Sequence, residues 1–203
     1  MPDKWLKSVI LENAIARLEP LALRHHDGLV HAVQDGELWK LWYTYVPTPE
    51  GMRAEIEKRL ARQTDDSWLP FAVVDVSSGQ TVGMTNFMHV DVLNQRVEIG
   101  GTWYRKSVQK SALNTACKLL LLTHAFEQLD CIAVEFRTHF FNHQSRRAIE
   151  RLGAKMDGVL RNHQRATNET LRDTCVYSIL PSEWPTVKAH LEHQLTRPRP
   201  ASS

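Results

Sequence analysis

The chain has 203 residues, of which 42% are hydrophobic, which is enough for one well-buried domain and short for two. Its 25 basic residues nearly balance 23 acidic ones, and the net charge of +2 argues against a nucleic-acid partner. The N-terminus lacks a signal-peptide pattern, and the longest apolar run, Leu119 to Leu122, is too short to span a membrane. We therefore predict a single cytoplasmic domain over residues 1–195 and a disordered tail over 196–203.

The first third of the chain is predicted to form one strand and then helices. The strand spans Ser8 to Leu23, and a helix follows from about Ala22 to Val33. The segment Glu37 to Tyr45 holds four aromatic residues, which favours core packing and has a wall of a substrate site as its functional alternative. A further helix is predicted from Glu50 to about Gln63.

Two apolar segments, Leu69 to Val76 and Thr81 to His89, flank a Ser-Ser-Gly-Gln turn and predict an antiparallel hairpin. The next strand runs from Val97 to Tyr104. Alternation places Val97, Ile99 and Trp103 on one face of this strand and Glu98, Thr102 and Tyr104 on the other. The pair Gly100-Gly101 is compatible either with a β-bulge or with close packing against a neighbour.

A basic and polar loop, Arg105 to Ala112, connects this strand to an amphipathic helix that begins near Leu113. The first backbone N–H groups of a helix lack partners within the helix, and the positive end of the helix dipole lies beside them. Lys106 and Lys110 add positive charge nearby. This strand–loop–helix unit therefore predicts a phosphate-binding site.

Beyond that helix, the pattern predicts three more strands and two more helices. The strand Cys131 to Thr138 can lie parallel to the preceding one because a helix connects them. A helix opens at Asn142 and ends at Gly153, strands follow near Lys155 to His163 and Leu171 to Leu180, and Ser182 is predicted to cap the last helix.

The loop Gln109-Lys-Ser-Ala-Leu-Asn114 resembles the Gln/Arg-x-x-Gly-x-Gly/Ala pattern with which GCN5-related N-acetyltransferases (GNATs) bind the pyrophosphate of acetyl-CoA, although Ala112 and Asn114 replace both glycines. Three longer stretches, in order, resemble the RimJ/RimL-like branch of that family: Asn114 to Phe126, Asn142 to Ala154, and Gly158 to His163 followed by Arg172-Asp-Thr. The resemblance covers residues 8 to 192 and implies the GNAT α/β (α+β) fold, a mixed and mostly antiparallel sheet of about seven strands flanked by helices.

The resemblance also implies an activity: transfer of an acetyl group from acetyl-CoA to a primary amine by direct attack, without a covalent enzyme intermediate. The acceptor would be a protein N-terminus or a small-molecule amine. The alternative is a non-catalytic CoA-binding or protein-interaction module of the same fold, because both loop glycines are missing. Exposed aromatic segments would allow a homo-oligomer.

Glu98 is the candidate general base, acting directly or through water, since it lies in mid-strand beside the predicted cofactor site. Its alternative is a solvated or ion-paired strand glutamate. Asn142 and Ser145 have the spacing of a helix cap. In the resembling family, the asparagine meets the pantetheine arm or an ordered water and the serine meets the thioester sulfur, so Ser145 is the candidate proton donor to the thiolate.

The cofactor contacts implied by the resemblance are the strand backbone, the loop, the first turn of the helix and two residues of the next helix: Gly101, Thr102, Trp103, Tyr104, Gln109, Lys110, Ser111, Ala112, Leu113, Asn114, Thr115, Asn142 and Arg146. The candidate acceptor contacts are Trp39, Trp42 and His89, together with the loop Gln164 to Thr170. His139 and His143 lack the partner spacing of a metal site, and we predict no metal. Cys117, Cys131 and Cys175 are predicted to be buried thiols of a reducing compartment rather than nucleophiles.

Overall fold

The structure is a computed structural model that describes residues 5–166 and 168–197. Its strands are β1 (Leu11–Glu12), β2 (Ala16–Pro20), β3 (Leu69–Asp75), β4 (Gln80–Asp91), β5 (Arg96–Tyr104), β6 (Ala133–His139), β7 (Lys155–Arg165) and β8 (Leu171–Ile179). Its helices are α1 (His26–Gln34), α2 (Met52–Thr64), α3 (Leu113–Glu127), α4 (His143–Glu150) and α5 (Trp184–Thr196), and short 3-10 turns occur at Leu23–His25, Leu38–Lys40 and Lys106–Val108.

All eight strands form one mixed sheet with the order β1-β2-β3-β4-β5-β6-β8-β7. The pair β5–β6 is parallel, and every other neighbouring pair is antiparallel. The predicted mixed, mostly antiparallel α/β fold is therefore confirmed, as are the β3–β4 hairpin and the parallel strand that follows α3.

Each face of the sheet is covered by its own hydrophobic core. On one face, α3 and α5 pack through residues such as Leu121, Leu122 and Leu191 against strand residues that include Phe136. On the other face, α1 and α2 pack against β3 and β4 in a smaller cluster built around Leu29, Met52, Ile56 and Met84. Both faces of the central strands are buried, which holds β5 in a fixed position between the two layers.

A β-bulge in β5 changes which side chains share a face. Met84 pairs with Trp103 and Asn86 with Gly100, so β5 has one residue more than β4 across this interval. Gly101 takes a φ of +57°, and a Cβ there would lie 2.4 Å from the Asn86 side chain. After the bulge, Tyr104 joins the α3 core with Val97 and Ile99, whereas Trp103 joins the α1–α2 core. Both alternatives for Gly100-Gly101 are therefore present, a bulge and close packing against Asn86. The predicted faces of Thr102, Trp103 and Tyr104 are wrong because an inserted residue inverts the alternation.

The predicted single strand from Ser8 to Leu23 is also wrong, because a turn divides it into β1 and β2. The Asn13 side-chain oxygen accepts hydrogen bonds from the backbone N–H groups of Ile15 (3.0 Å) and Ala16 (2.9 Å). An asparagine side chain that bonds the backbone in this way replaces the ladder and reverses the chain. This turn accounts for an eighth strand where about seven were expected.

Two segments at the surface differ from expectation. Trp42 and Tyr45 are 52% and 59% exposed, so core packing is wrong for these two aromatic residues.

At the last helix, Glu183 rather than Ser182 occupies the N-cap, and α5 extends to Thr196, the first residue of the predicted tail. Residues 198–203 of that tail lie outside the described residues.

The three cysteines are buried and free, as predicted. Burial raises the pKa of the Cys117 and Cys131 thiols to about 12, so neither is a thiolate at neutral pH. Within the described residues, no helix combines the length and the apolar character needed to cross a bilayer.

Candidate active site

The strands β5 and β6 diverge after a short parallel contact. They pair at Arg96 with Ala133, Val97 with Val134 and Glu98 with Glu135. Beyond Glu98, β5 continues along β4 to Tyr104, while β6 continues along β8 to His139. The result is a wedge between β5 and β6, with the bulge on one wall. An extended chain that entered this wedge could pair with the main chain of β5 as an added strand.

The N-terminus of α3 is a second feature of the candidate site. Ala112 is the N-cap and has no side-chain capping bond, and the first turn has no acidic residue. The N–H of Leu113 donates to the Ser111 hydroxyl at 3.2 Å. Ala112 has a φ of −68°, so its backbone does not need glycine, and the left-handed residue of the loop is Lys110 with a φ of +62°. The loop is thus formed without the glycines of the family pattern.

Contacts with the end of α1 and with β5 hold this loop in place. The Asp35 carboxylate accepts hydrogen bonds from the Arg105 side chain (3.0 Å) and the Ser107 N–H (3.1 Å). The Ser107 side chain is the main cause that lowers the pKa of Asp35, and Arg105 lowers it further. The Gln109 amide donates to the Tyr104 carbonyl at 2.9 Å. The backbone that precedes α3 is therefore positioned before any ligand binds.

The predicted base, Glu98, is 5% exposed on the α1–α2 face of β5. Its Oε2 atom bonds to His89 Nδ1 at 2.7 Å and lies 3.5 Å from Arg137. Its Oε1 atom lies over Gly100, where a Cβ would be only 2.6 Å away. One carboxylate oxygen of Glu98 therefore forms the ion pairs, and the other lies along the strand on the side of the wedge. A cavity of about 360 Å³ opens beside Glu98, His89 and Arg137.

His89 is held to Glu98 by the shortest of these contacts, and that hydrogen bond is the main cause that raises the pKa of His89 above 6.5. We expect proton NMR titration to place the His89 pKa above 6.5 in the wild type and to place it lower in Glu98→Gln, since burial and Arg137 oppose protonation. His124 is the control, because burial alone lowers its pKa. A His89 pKa that is the same in both proteins would contradict the contact.

Asn142 and Ser145 form the helix cap that their spacing predicts. The Asn142 side chain is the N-cap of α4 and accepts a hydrogen bond from the Ser145 N–H at 3.0 Å. Arg146 donates to the Tyr177 hydroxyl (3.1 Å) and the Phe140 carbonyl (3.3 Å). These contacts direct much of the Arg146 guanidinium into the protein, so its predicted role toward CoA would depend on its remaining N–H groups. The roles of Ser145 and Asn142 toward the thioester stay predictions.

Lys118 on α3 is a residue of this region that the sequence did not single out. It is 6% exposed, and its ammonium donates to the Thr102 hydroxyl at 3.0 Å, which also bonds to the Thr85 hydroxyl at 2.7 Å. Its ammonium lies 5.9 Å from the centre of the Phe136 ring on β6, so it reaches the base of the wedge from the α3 side. The spacing of Lys118 could have predicted its burial, since it falls three residues before Leu121 and seven before Ala125, on the buried face of the helix.

Because burial lowers the Lys118 pKa from 10.5 to about 8, this lysine destabilises the fold at neutral pH. The cost is fully present below pH 8, fades as the pH rises to 10.5 and is absent above it. We expect Lys118→Met to raise the free energy of unfolding at pH 7 by about 1 to 3 kcal/mol, with the gain shrinking at alkaline pH. Urea denaturation at several pH values measures this difference. A gain that is independent of pH would contradict a buried ammonium.

A buried polar cluster supports the bulge from the α2 side. Arg59 pairs with Glu55 at 2.8 Å and donates to the Asn86 side chain (3.1 Å) and the Gly101 carbonyl (3.2 Å). Asn86 in turn donates to the Gly100 carbonyl at 2.9 Å. The distorted section of β5 is therefore fixed by side chains as well as by its own ladder.

Of the predicted acceptor residues, Trp42 and His89 face the site and Trp39 does not. The Trp42 ring lies 5.3 Å from the His139 ring at the end of β6 and 6.0 Å from the Phe141 ring. Trp39 packs against the α1–α2 core instead. Thr115 is fully buried, and its hydroxyl has no hydrogen-bond partner among the described residues, so a contact with a cofactor would use its N–H.

No group of three or more histidine, cysteine, aspartate or glutamate side chains in residues 5–166 and 168–197 is placed to hold a metal ion. Direct acetyl transfer from a thioester to an amine does not require one.

Comparison with known protein families identifies the class of protein to which this fold belongs. Residues 16–155 match the family described as Acetyltransferase (GNAT) domain. The match covers more than half of the chain, and the chain therefore belongs to the GNAT acetyltransferase family.

Relatives and solved structures give the same result. A GCN5-related N-acetyltransferase from Brucella melitensis is 31% identical with a TM-score of 0.82, over 94% of this chain and 87% of that one. RimJ from Mycobacterium smegmatis, solved in complex with CoA-disulfide, is 17% identical with a TM-score of 0.75 over 88% of each chain, which shows the fold alone. YdaF of Bacillus subtilis (strain 168), provisionally named a ribosomal N-acetyltransferase, is 32% identical over 106 residues, which are 52% of this chain and 57% of YdaF. The chain thus spans little more than half the length of that curated relative.

Proposed function

We propose that this chain is an N-acetyltransferase that uses acetyl-CoA and transfers the acetyl group to a primary amine. The observation that carries the proposal is the wedge between β5 and β6 beside the uncapped N-terminus of α3. Beyond Glu98 the side of β5 that faces β6 has no strand partner, so it can pair with an extended pantetheine arm, and the N-terminus of α3 offers N–H donors to a diphosphate. RimJ, which shares the fold, was solved with CoA-disulfide, and this supports CoA as the ligand.

The residues present fit such a ligand. In the first turn of α3 the Leu113 N–H donates to the Ser111 hydroxyl, whereas the N–H groups of Asn114 and Thr115 have no side-chain cap, and no carboxylate in that turn would repel a diphosphate. Lys110 lies in the loop that precedes this turn and adds a positive charge. Gly101, Thr102, Trp103 and Tyr104 form the β5 wall of the wedge.

In the proposed reaction, the nitrogen of a neutral amine attacks the thioester carbonyl carbon, the C–N bond forms and the C–S bond breaks. Glu98 takes the proton that the ammonium form of the acceptor loses, directly or through water. The second proton, which the nitrogen loses once the C–N bond has formed, ends on the departing sulfur and gives the CoA thiol. Ser145 donates a hydrogen bond to that sulfur or relays this proton to it. Acceptor and thioester meet at Glu98 because this is the last residue at which β5 and β6 are paired.

The acceptor is a protein N-terminus or a small-molecule amine. RimL, whose structure has the same fold, is named for the α-N-acetylation of ribosomal protein L7/L12, and this favours including N-terminal peptides among the candidates. The exposed Trp42 ring and the cavity beside His89 are the surfaces we assign to the acceptor.

The test is to incubate the protein with acetyl-CoA and a panel of N-terminal peptides and small amines, while released thiol and acetylated product are measured. We expect thiol release that depends on one class of amine, with one acetylated product per thiol. Calorimetry with CoA is run in parallel. Tight CoA binding without turnover on any amine would favour a non-catalytic CoA-binding module, and no CoA binding would overturn the proposal.

A further inference from the structure

A pair of hydrogen-bond donors lies on the same face of the sheet as Glu98, farther along β6 and β8. His139 is the last residue of β6 and is directly opposite Thr174 of β8. Arg172 lies two residues earlier on β8, on the same face, and donates to the Thr174 hydroxyl at 3.1 Å. Opposite and i, i+2 residues of a sheet share a face, so both side chains lie on the face that carries Glu98 and Glu135.

Arg172 forms no salt bridge with a carboxylate in the part of the chain that the structure describes, and the charge of Glu98 acts on it only from farther away. Arg137 pairs with Glu135 at 2.9 Å, Arg96 also pairs with Glu135, and His89 pairs with Glu98. Arg172 is partly buried, and in the described part of the chain no carboxylate lies within 4.0 Å of its guanidinium. A guanidinium can bind a carboxylate through two parallel N–H donors, and Arg172 has N–H groups besides the one that donates to Thr174.

His139 contributes a buried donor. It is 4% exposed, and its Nδ1 atom accepts a hydrogen bond from the Phe141 N–H at 3.1 Å. This bond places the proton of the neutral ring on Nε2, which has no hydrogen-bond partner in the described residues. Burial, and then the charge of Arg172, lower the pKa of His139, so the ring stays a neutral donor. A buried donor without a partner is costly to keep unless a ligand satisfies it.

We propose that Arg172 and His139 form a carboxylate-binding subsite, and that the acceptor is an amine that carries a carboxylate group close to it. This inference rests on the proposed acetyl transfer. Glu98 lies where it attracts the ammonium of such an acceptor, and Arg172 lies where it attracts the carboxylate. Trp42 covers His139 at 5.3 Å between ring centres and screens the His139 ring from water on one side. The carboxylate can belong to a free amino acid or to an acidic side chain near a peptide N-terminus.

The test compares matched acceptors that differ only in this charge: an amino acid against its carboxamide, and a peptide with Asp or Glu at its second position against one with Asn or Gln. We expect the wild type to prefer the carboxylate member of one pair by about tenfold or more in kcat/KM. The pair that shows the preference identifies the source of the carboxylate. Arg172→Gln should reduce the ratio of the two kcat/KM values to near one, through a higher KM for the carboxylate member. Arg172→Lys should keep part of the preference.

The matched control is Arg161→Gln, which removes a cation from the same β7–β8 hairpin but one that is paired with Asp173 and is 80% exposed. It should retain the wild-type ratio. Binding of an N-acetylated amino acid and of its carboxamide, measured by calorimetry, gives a readout that does not need turnover. Equal use and equal binding of the two members of every pair, or a preference that survives Arg172→Gln, would overturn the subsite. Absence of turnover alongside a carboxylate preference in binding would count against acetyl transfer and for the subsite.

Discussion

Replacing Glu98 with glutamine is expected to lower kcat by about 100- to 10,000-fold, the range that a lost general base accounts for. Glutamine keeps the size of the side chain over Gly100 and can still accept a hydrogen bond from His89, but it cannot take a proton from the acceptor. CoA affinity should stay within about threefold of the wild type, because Glu98 lies on the α1–α2 face rather than at the first turn of α3.

Glu135→Gln is the matched control for this change. It removes a carboxylate from the same face, and that carboxylate also pairs with Arg137. We expect its kcat to fall by less than about tenfold, since Glu135 only sets the local charge balance. Steady-state kinetics across pH measures both variants. A Glu98→Gln protein with the rate and pH profile of the wild type would show that another group accepts the proton.

Asn114→Asp is expected to weaken CoA binding by about 10- to 100-fold while stabilising the protein. Asn114 is the second residue of α3, so a carboxylate there interacts favourably with the helix dipole, by about 0.3 to 1 kcal/mol. The same carboxylate would face a doubly charged diphosphate at contact distance, which costs about 1 kcal/mol per charge pair even in water. Effects of opposite sign on stability and on binding exclude unfolding as the cause of lost affinity.

Asn114→Ala is the neutral control, and it should bind CoA within about threefold of the wild type. Calorimetry at low and at high salt measures the binding, and the loss in Asn114→Asp should shrink as salt screens the repulsion. If Asn114→Asp binds CoA as tightly as Asn114→Ala does, the diphosphate does not lie at this helix end.

Local patterns were sufficient to predict most of the fold. The alternation of Leu69 to Val76 and Thr81 to His89 predicted the β3–β4 hairpin, and the apolar spacing after Leu113 predicted α3. The left-handed Gly153 after α4, with a φ of +99°, follows from the glycine itself. These features depend on residues close in sequence, and such signals can be seen without the tertiary structure.

What the sequence left unresolved depends on contacts between distant residues. Thr102, Trp103 and Tyr104 changed faces because of one inserted residue at Gly101, and a two-residue period cannot detect such an insertion. Trp42 is exposed because it lies over His139, nearly one hundred positions along the chain, rather than in the core. The pairing of Glu98 with His89 is set by the register of β4 and β5, and so is the support that Arg59 gives to the bulge.

Charged residues inside the protein were not predicted either, because their burial also depends on contacts between distant residues. Lys118 lies at a core position of α3, and Arg59 at a core position of α2, although both residue types are usually exposed. A cation that interrupts an apolar helical face is a usable signal, since burial of a charge is costly unless a partner or a function retains it. Arg59 has the Glu55 carboxylate as its partner, whereas Lys118 has the Thr102 hydroxyl and the Phe136 ring.

The central claim is that CoA lies in the wedge between β5 and β6, with its diphosphate at the first turn of α3. A crystal structure of the protein with bound CoA tests this claim most directly. We expect the diphosphate oxygens within hydrogen-bond distance of the N–H groups of Asn114 and Thr115, and the pantetheine arm paired with β5 beyond Glu98. CoA bound at another surface, with the wedge closed, would contradict it.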